Sequence, residues 1–582
     1  SVILQLNGKV SDQLNALLKR NGVHVKKHFE NFNSRVVELP VSVVEELASY
    51  EEVSFISLDN EVKSLGHVET TTGVTAMRAQ SSNSGLDGTG IGIAVLDSSI
   101  FEAHHTFQHK TTGNKRIVFG KDFTGEGMDT NDPYGHGTHV AALAAGGRGK
   151  DRTIPTNYTG IASNANLINL RVLGANGTGR VSGLLSALDW VMTNRAAYNI
   201  KVVNMSLGTP AIDSYKNDPL CKAVRRLVNA GVVVVAAAGN NGKDANGNKV
   251  YGLIHSPGNE PSAITVGASN SYGTDARGDD TIATYSSRGP TRSYWKDALG
   301  VKHYDHLVKP DLVAPGNKLI AAQAKNNLLV TNHKEFVAVW TGNDDTTMMR
   351  LSGTSMATPV VSGAAALLLQ ANPKLTPNMV KMILQYTAQP LAGFNHFEQG
   401  AGQVNIEGAI RLAKLVRTNL TWATTTLGTS FLTTTTLPTA RTTVANHTFT
   451  WAQGVILNQT FAKGTNLITK FQKVYNLGVT LNDGVTMSDG VLRSDGVLIG
   501  VGVTMSDNIL TSTGVTMSDG YVFIPVSRLF DGNGVTMSDG VTMSDGVLMS
   551  DSYVFGSGVT MSDNILQSQS VLIMGDNTTC MY

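Results

Sequence analysis

At 582 residues the chain is too long for one hydrophobic core and predicts several domains, at the usual ~100–200 residues each. A formal net charge of +1, with 16% charged residues, excludes a global electrostatic footprint for nucleic acid or an anionic membrane. No apolar run reaches the ~18 residues of a membrane span, and two cysteines, Cys221 and Cys580, cannot build a disulfide framework.

The sequence opens on strand-like S-V-I-L-Q-L, with the expectation that any targeting segment has been removed or was never there. Over residues 1–67, strand-like V-I-L-Q-L, R-V-V-E-L-P and V-S-F-I-S-L alternate with helix-like S-D-Q-L-N-A-L-L-K-R and V-S-V-V-E-E-L-A-S-Y. That rhythm predicts a small β-α-β-β-α-β unit, one sheet with two helices on a face.

From 68 to 417 the texture changes. Short β-branched runs such as I-G-I-A-V-L-D, V-V-N-M-S-L and V-V-V-V-A-A-A alternate with helix-length segments. Near-continuous apolar strands between helices predict an α/β domain with a parallel sheet covered on both faces. Residues 418–482 turn Thr-rich with alternating Val, Phe and Trp, and predict an all-β domain. From 483 to 582 a six-residue repeat takes over, typified by G-V-T-M-S-D, and predicts serial short strands that bury their faces by stacking. From Gly484 on, ten Asp stand against two Arg, with no Lys or Glu, a formal charge of −8. Asp-Gly is the ordinary chemistry of tight turns, so turn formation outranks calcium collection as the reading of this tail.

Ser355 lies in L-S-G-T-S-M-A-T-P (351–359), ahead of an Ala/Leu-rich run that predicts a helix. A serine that attacks an amide needs a base, an orienter for that base, and donors for the oxyanion. Asp97 ends a strand, where parallel sheets place ligands, but an aspartate there also caps helices. His136 sits between Gly135 and Gly137 at a helix start, with His139 one turn later. The zinc-protease pattern H-E-x-x-H lacks its Glu here, so metal is a weak reading. Asn240, in G-N-N-G, reads equally as a turn residue. Singly, each position has a structural explanation.

Jointly, A-V-L-D-S, G-H-G-T-H-V-A and G-T-S-M-A-T-P, in the order Asp, His, Ser, resemble the subtilisin-like serine proteases. V-N-M-S-L-G at 203–208, S-S-R-G-P at 286–290 and K-P-D at 309–311 extend the resemblance across 68–417. It implies a secreted endopeptidase with Asp97, His136 and Ser355 as catalytic triad and Asn240 as oxyanion donor. It implies that Gly177, Thr178 and Gly179 with Ser206, Leu207 and Gly208 clasp an extended protein or peptide substrate. Ala237, Ala238 and Gly239 would line the pocket before the scissile bond, for apolar or uncharged residues. Residues 1–67 resemble the family's inhibitor-like propeptide, an intramolecular partner removed by autoprocessing near Lys63–Val68, where S-L-G-H would lie in the groove. No cofactor is required for the chemistry; structural calcium is common in such proteins, but no site is located. The loop after His136 does not look like the usual calcium insertion, and 291–350 is longer than a minimal catalytic domain needs. The alternative is a catalytically silent binding or surface-adhesion protein on the same fold, which predicts a broken triad; all four positions are intact.

Overall fold

The structure, a computed structural model, describes residues 2–58, 67–420, 424–426, 428–458, 460–477, 554–555, 565–568 and 575–578. It divides into two compact units, Ser1–Ser64 and Leu65–Tyr582.

In the first unit, β1 (Val2–Leu6), β2 (His24–Phe29), β3 (Ser34–Glu38) and β4 (Val53–Leu58) form an antiparallel sheet in the order β2-β3-β1-β4. Ser11 starts the helix Asp12–Leu18 by accepting the Leu14 N–H at 3.2 Å, the expected cap for a segment with apolar residues at helical spacing. Leu14, Leu17 and Leu18 then pack with Leu4, Val37 and Leu47 of the second helix, Val44–Ala48. The β-α-β-β-α-β order is the expected one. No run of its own announced β2, and the reason is physical: all six of its residues are exposed, so no apolar alternation marks it.

The second unit is built on a parallel sheet in the order β6-β7-β5-β9-β11. Here β5 is Gly92–Asp97, β6 Ile117–Asp122, β7 Asn166–Arg171, β9 Ile200–Met205 and β11 Val233–Ala237. Strands Ile264–Asn270 and Leu312–Pro315 continue it in parallel, and Thr281–Ile282 closes that side antiparallel. Along β5 the side chains alternate between two cores: Ile93 and Val95 join one cluster, Ala94 and Leu96 the other. A strand buried on both faces is what the unbroken run I-G-I-A-V-L requires.

The helix Thr354–Ala371 crosses one face of this sheet, packing on β9, β11 and the helix His136–Ala145. It is long and apolar enough to cross a membrane by length and composition, but it lies inside the core.

Residues 428–477 carry two hairpins, Arg441–Val444 with His447–Thr450 and Gly454–Leu457 with Thr460–Lys463. Their β character is the expected one, but Phe431, Trp451, Phe471 and Tyr475 pack in the same cluster as Val360 and Leu367 of the long helix. The Thr-rich composition after 418 therefore marks a change of surface, while the core runs through. The hexapeptide-repeat region falls outside the described residues except for Val554–Phe555, Ile565–Ser568 and Gly575–Thr578. A second, small sheet has the order His255–Ser256, β10 (Leu207–Pro210), Ile565–Ser568, β8 (Thr178–Arg180).

Candidate active site

Three strands deliver the candidate residues at their carboxyl ends, the side of a parallel sheet where ligands sit. Asp97 ends β5, Ser206 follows β9, and Asn240 lies three residues beyond β11.

Asp97 and His136 meet. The Asp97 Oδ1 lies 2.7 Å from His136 Nδ1 and also accepts the Ser98 N–H at 2.8 Å. Both side chains are buried. An acceptor-only carboxylate fixes the proton on Nδ1 and leaves Nε2 as the basic nitrogen. Among the described residues that Nε2 has no hydrogen-bond partner. The glycines beside His136 are needed for this approach. A Cβ on Gly137 would stand 2.1 Å from the Ser99 carbonyl and 3.1 Å from the Asp97 Cβ. Gly135 has φ +98°, and a Cβ there would meet Asn327.

Ser355 opens its helix behind Gly353, whose φ of +150° suits only glycine. Its hydroxyl donates to the Ser206 carbonyl at 2.9 Å, and the Ser206 hydroxyl donates back to the Ser355 carbonyl at 2.8 Å. That second bond follows from the sequence. Pro359 stands four residues on and has no N–H, so the Ser355 carbonyl loses its helical partner and takes a side-chain donor instead. Asn204 supports the arrangement, donating to the Ser206 Oγ at 3.0 Å and accepting from Ser362 at 2.8 Å. The V-N-M-S-L-G motif thus anchors the serine helix to the sheet.

Asn240 accepts the Thr354 N–H at 2.9 Å. An N–H can only donate, so this contact fixes the oxygen of the Asn240 amide and frees its NH₂. The Ser355 N–H, among the helix's unpaired first donors, has no acceptor among the described residues. Ser287, from S-S-R-G-P, accepts the Asn241 N–H at 3.0 Å and crowds Gly239, which has φ +110°.

Sequence reasoning missed Asp132. This buried carboxylate accepts from Ser98 Oγ (2.8 Å), the Gly135 N–H (3.0 Å), and the Thr138 N–H (2.8 Å) and hydroxyl (2.7 Å). It joins the end of β5 to the start of the His136 helix. Burial pushes its carboxyl above the ordinary value, while the four donors pull the other way. The signal was available as an Asp-Pro turn four residues before His136. The long segment 291–350 also gains a role: the Leu328 N–H donates to the Pro133 carbonyl at 2.8 Å, backing the same turn.

His139 is placed differently from His136. Its Nε2 lies 3.1 Å from the Leu319 carbonyl, and burial, followed by the neighbouring His136, pushes its pKa down to about 3. It is a neutral structural donor. K-P-D is likewise structural: Lys309 and Lys381 each reach Asp311, at 2.7 and 2.8 Å, in the interior. Among the described residues, no group of three or more His, Cys, Asp or Glu is placed to hold a metal. The two cysteines are not seen as a pair: Cys221 is a buried free thiol, and Cys580 lies outside the described residues.

The remaining predicted residues lie on the small sheet or beside it. Gly177 (φ +76°) packs under the Tyr134 ring, and a Cβ on Gly179 would stand 2.1 Å from the Val172 carbonyl. Thr178 and Gly179 on β8, and Leu207 and Gly208 on β10, pair with a common strand between them. Ala237 and Ala238 are buried at the end of β11. Of the S-L-G-H stretch, Ser64, Leu65 and Gly66 lie outside the described residues, and the His67 N–H donates to Asp275 at 2.6 Å.

The family model of the subtilases matches residues 88–404, more than half of the chain. The serine protease AprX of Bacillus subtilis (strain 168) is 33% identical over 406 residues, 68% of this chain and 83% of that protein. The extracellular serine proteinase of Thermus sp. (strain Rt41A) is 34% identical over 362 residues, 61% of this chain and 70% of that one. Among solved structures, a cold-adapted subtilisin-like serine proteinase is 30% identical and covers 55% of this chain and 88% of its own, with a TM-score of 0.36. The chain belongs to the subtilase family and is a serine endopeptidase.

Proposed function

We propose that peptide bonds are cut by Ser355 as nucleophile, His136 as base and Asp97 as its orienter, with Asn240 and the Ser355 N–H binding the oxyanion. The buried Asp97–His136 contact at 2.7 Å, which leaves Nε2 without a partner, carries this reading. For attack, the Ser355 hydroxyl turns from the Ser206 carbonyl to Nε2, an adjustment in keeping with catalytic bonds that tighten only around substrate. His136 takes that proton and returns it to the leaving amine. Asp97 stabilises the imidazolium formed between the two steps. The carbonyl oxygen gains charge where the Asn240 NH₂ and the Ser355 N–H are unpaired, at the positive end of the helix.

An extended substrate adds as a strand between β8 and β10, with Ala237–Gly239 lining an uncharged pocket beyond. Residues 1–67 act as an inhibitor-like propeptide removed by the enzyme itself. The protein works outside the cell, a reading supported by the relative named as an extracellular proteinase. Any calcium is structural.

A fluorophosphonate probe followed by peptide mass spectrometry tests the assignment. Ser355 should be the labelled residue, and Ser355→Ala should lose both label and hydrolysis, by roughly 10⁶-fold in kcat, the loss the same deletion causes in subtilisin. Label on another serine, or a fully active Ser355→Ala, would sink the reading.

A further inference from the structure

The groove between β8 and β10 is already filled, and its occupant is the chain's own tail. Residues Ile565–Ser568 lie between the two strands, antiparallel to both. Ile565, Leu566 and Gln567 pair with Arg180, Gly179 and Thr178; Gln567 and Ser568 pair with Gly208 and Leu207. β8 and β10 are not paired with each other, and the tail strand joins them into one sheet. Two facing strand edges are the template for such an added strand.

The register gives the strand a direction. As the tail advances from Gln567 to Ser568, its partner on β10 steps back from Gly208 to Leu207. The next residue back is Ser206, whose carbonyl holds the Ser355 hydroxyl. The tail therefore runs toward the nucleophile. Ser355 and His136 are each 0% exposed, although a protease must show both to incoming substrate.

A second anchor lies seven residues beyond Ser568, beside Ser352 of the serine motif. The Asp576 N–H donates to Asn317 Oδ1 at 2.8 Å, and its carboxylate accepts the Thr284 N–H at 3.0 Å and hydroxyl at 2.5 Å. The Lys318 ammonium donates to the Thr578 carbonyl at 2.7 Å. Gly575 sits so close that a Cβ would stand 2.3 Å from the Oγ of Ser352, three residues before Ser355. Farther back, Val554–Phe555 pairs with Val250–Tyr251.

We propose that the C-terminal tail is an intramolecular competitive inhibitor. Residues 565–568 bind as a substrate-like strand, Gly575–Thr578 anchor the chain beside Ser352, and the tail must leave before a peptide can enter. The proposal rests on the reading of the β8–β10 groove as the substrate site. A tethered strand competes at an effective concentration on the order of millimolar, so a tail whose free peptide binds at about 100 µM or tighter raises the apparent KM at least ~10-fold.

The test compares the full chain with full-chain Leu566→Pro, which removes a backbone donor from the strand, and with Asp576→Ala, which cuts the second anchor. Neither residue belongs to the catalytic machinery. Both variants should hydrolyse a short peptide anilide with KM lowered ~10-fold or more and kcat unchanged, and should take the fluorophosphonate label faster. A synthetic peptide of residues 562–578 should inhibit Leu566→Pro competitively. It should also bind full-chain Ser355→Ala/Leu566→Pro by fluorescence anisotropy, a readout that needs no activity. Unchanged KM and labelling with no binding of the peptide would overturn the proposal. So would rapid cleavage of the wild-type tail just beyond Ser568, which would make it a substrate. Failure of the catalytic reading would show separately, as loss of label at Ser355 with peptide binding intact.

Discussion

The two helices that supply His136 and Ser355 begin alike but differ at their second residue, whose N–H is paired in one and open in the other. Each follows a glycine with positive φ, Gly135 at +98° and Gly353 at +150°, and neither glycine offers a side-chain cap. At the histidine helix the second and third N–H groups take side-chain acceptors: Gly137 donates to Ser98 Oγ, and Thr138 to the Asp132 carboxylate. At the serine helix Asn240 takes only the Thr354 N–H, and the Ser355 N–H stays open. A helix start left unpaired holds partial positive charge in reserve. On the proposed roles, a side chain takes the second N–H where the base is held, and that N–H is left open where negative charge would develop.

Asn240 gives the largest break in that comparison. Asn240→Asp keeps an oxygen for the Thr354 N–H but replaces the NH₂ donor with a negative charge. We expect kcat to fall by at least the 10²–10³-fold typical of a lost oxyanion donor, with little change in thermal midpoint. Asn240→Ala removes the cap as well, and should lose comparable activity plus about 1 kcal/mol of stability. Equal kcat in Asn240→Asp and wild type would mean that the open N–H end serves another purpose.

Closing the other end is the task of Asp132. Asp132→Ala leaves the Gly135 and Thr138 donors and the Ser98 hydroxyl without their acceptor in the interior, at a cost of about 2–3 kcal/mol in chemical denaturation. Because His136 starts that helix, its ring should drift from Asp97, lowering kcat by roughly 10–10²-fold while KM holds. Loss of stability with unchanged kcat would assign Asp132 to folding alone.

How much of this was legible beforehand depended on whether a role left a mark in local sequence. Asp97, His136, Asn240 and Ser355 stood in dense motifs, because close backbone approach demands Gly137, Gly353 and the small residues around them. The parallel sheet was legible in runs such as V-V-V-V-A-A-A, since burial on both faces leaves no polar alternation. Asp132 was not, because its Asp-Pro step passes for an ordinary turn, and the Ser98 hydroxyl that ties it to β5 comes from 34 residues away. The β2 strand was silent for want of a buried face. Threonine enrichment after 418 suggested a boundary, yet Phe431 and Trp451 carry the core across it. The tail strand between β8 and β10 was beyond reach, since a pairing of residues some 360 to 390 apart has no local signature.

The comparison also predicts a pH dependence. His139 lies one turn into the histidine helix, buried, with its pKa pushed down to about 3. His104 and His255, also buried, are held at about 4. For each, the unfolded chain binds a proton near pH 6.5 that the folded chain refuses until far lower pH. Stability is therefore fully present above pH 6.5 and falls as pH drops toward 4, by up to about 1.4 kcal/mol per pH unit for each histidine. The first turn of the serine helix, Thr354–Ala357, holds no titratable side chain of its own, and the buried His255 packs against Gly239 beside Asn240. His139→Gln retains a donor for the Leu319 carbonyl while removing the proton site. Urea unfolding at pH 7 and pH 5 should show a shallower loss for His139→Gln than for wild type, by about one histidine's share. Parallel losses in the two proteins would mean that His139 already carries its proton in the folded state, and that the closed helix end tolerates a charge one turn from His136.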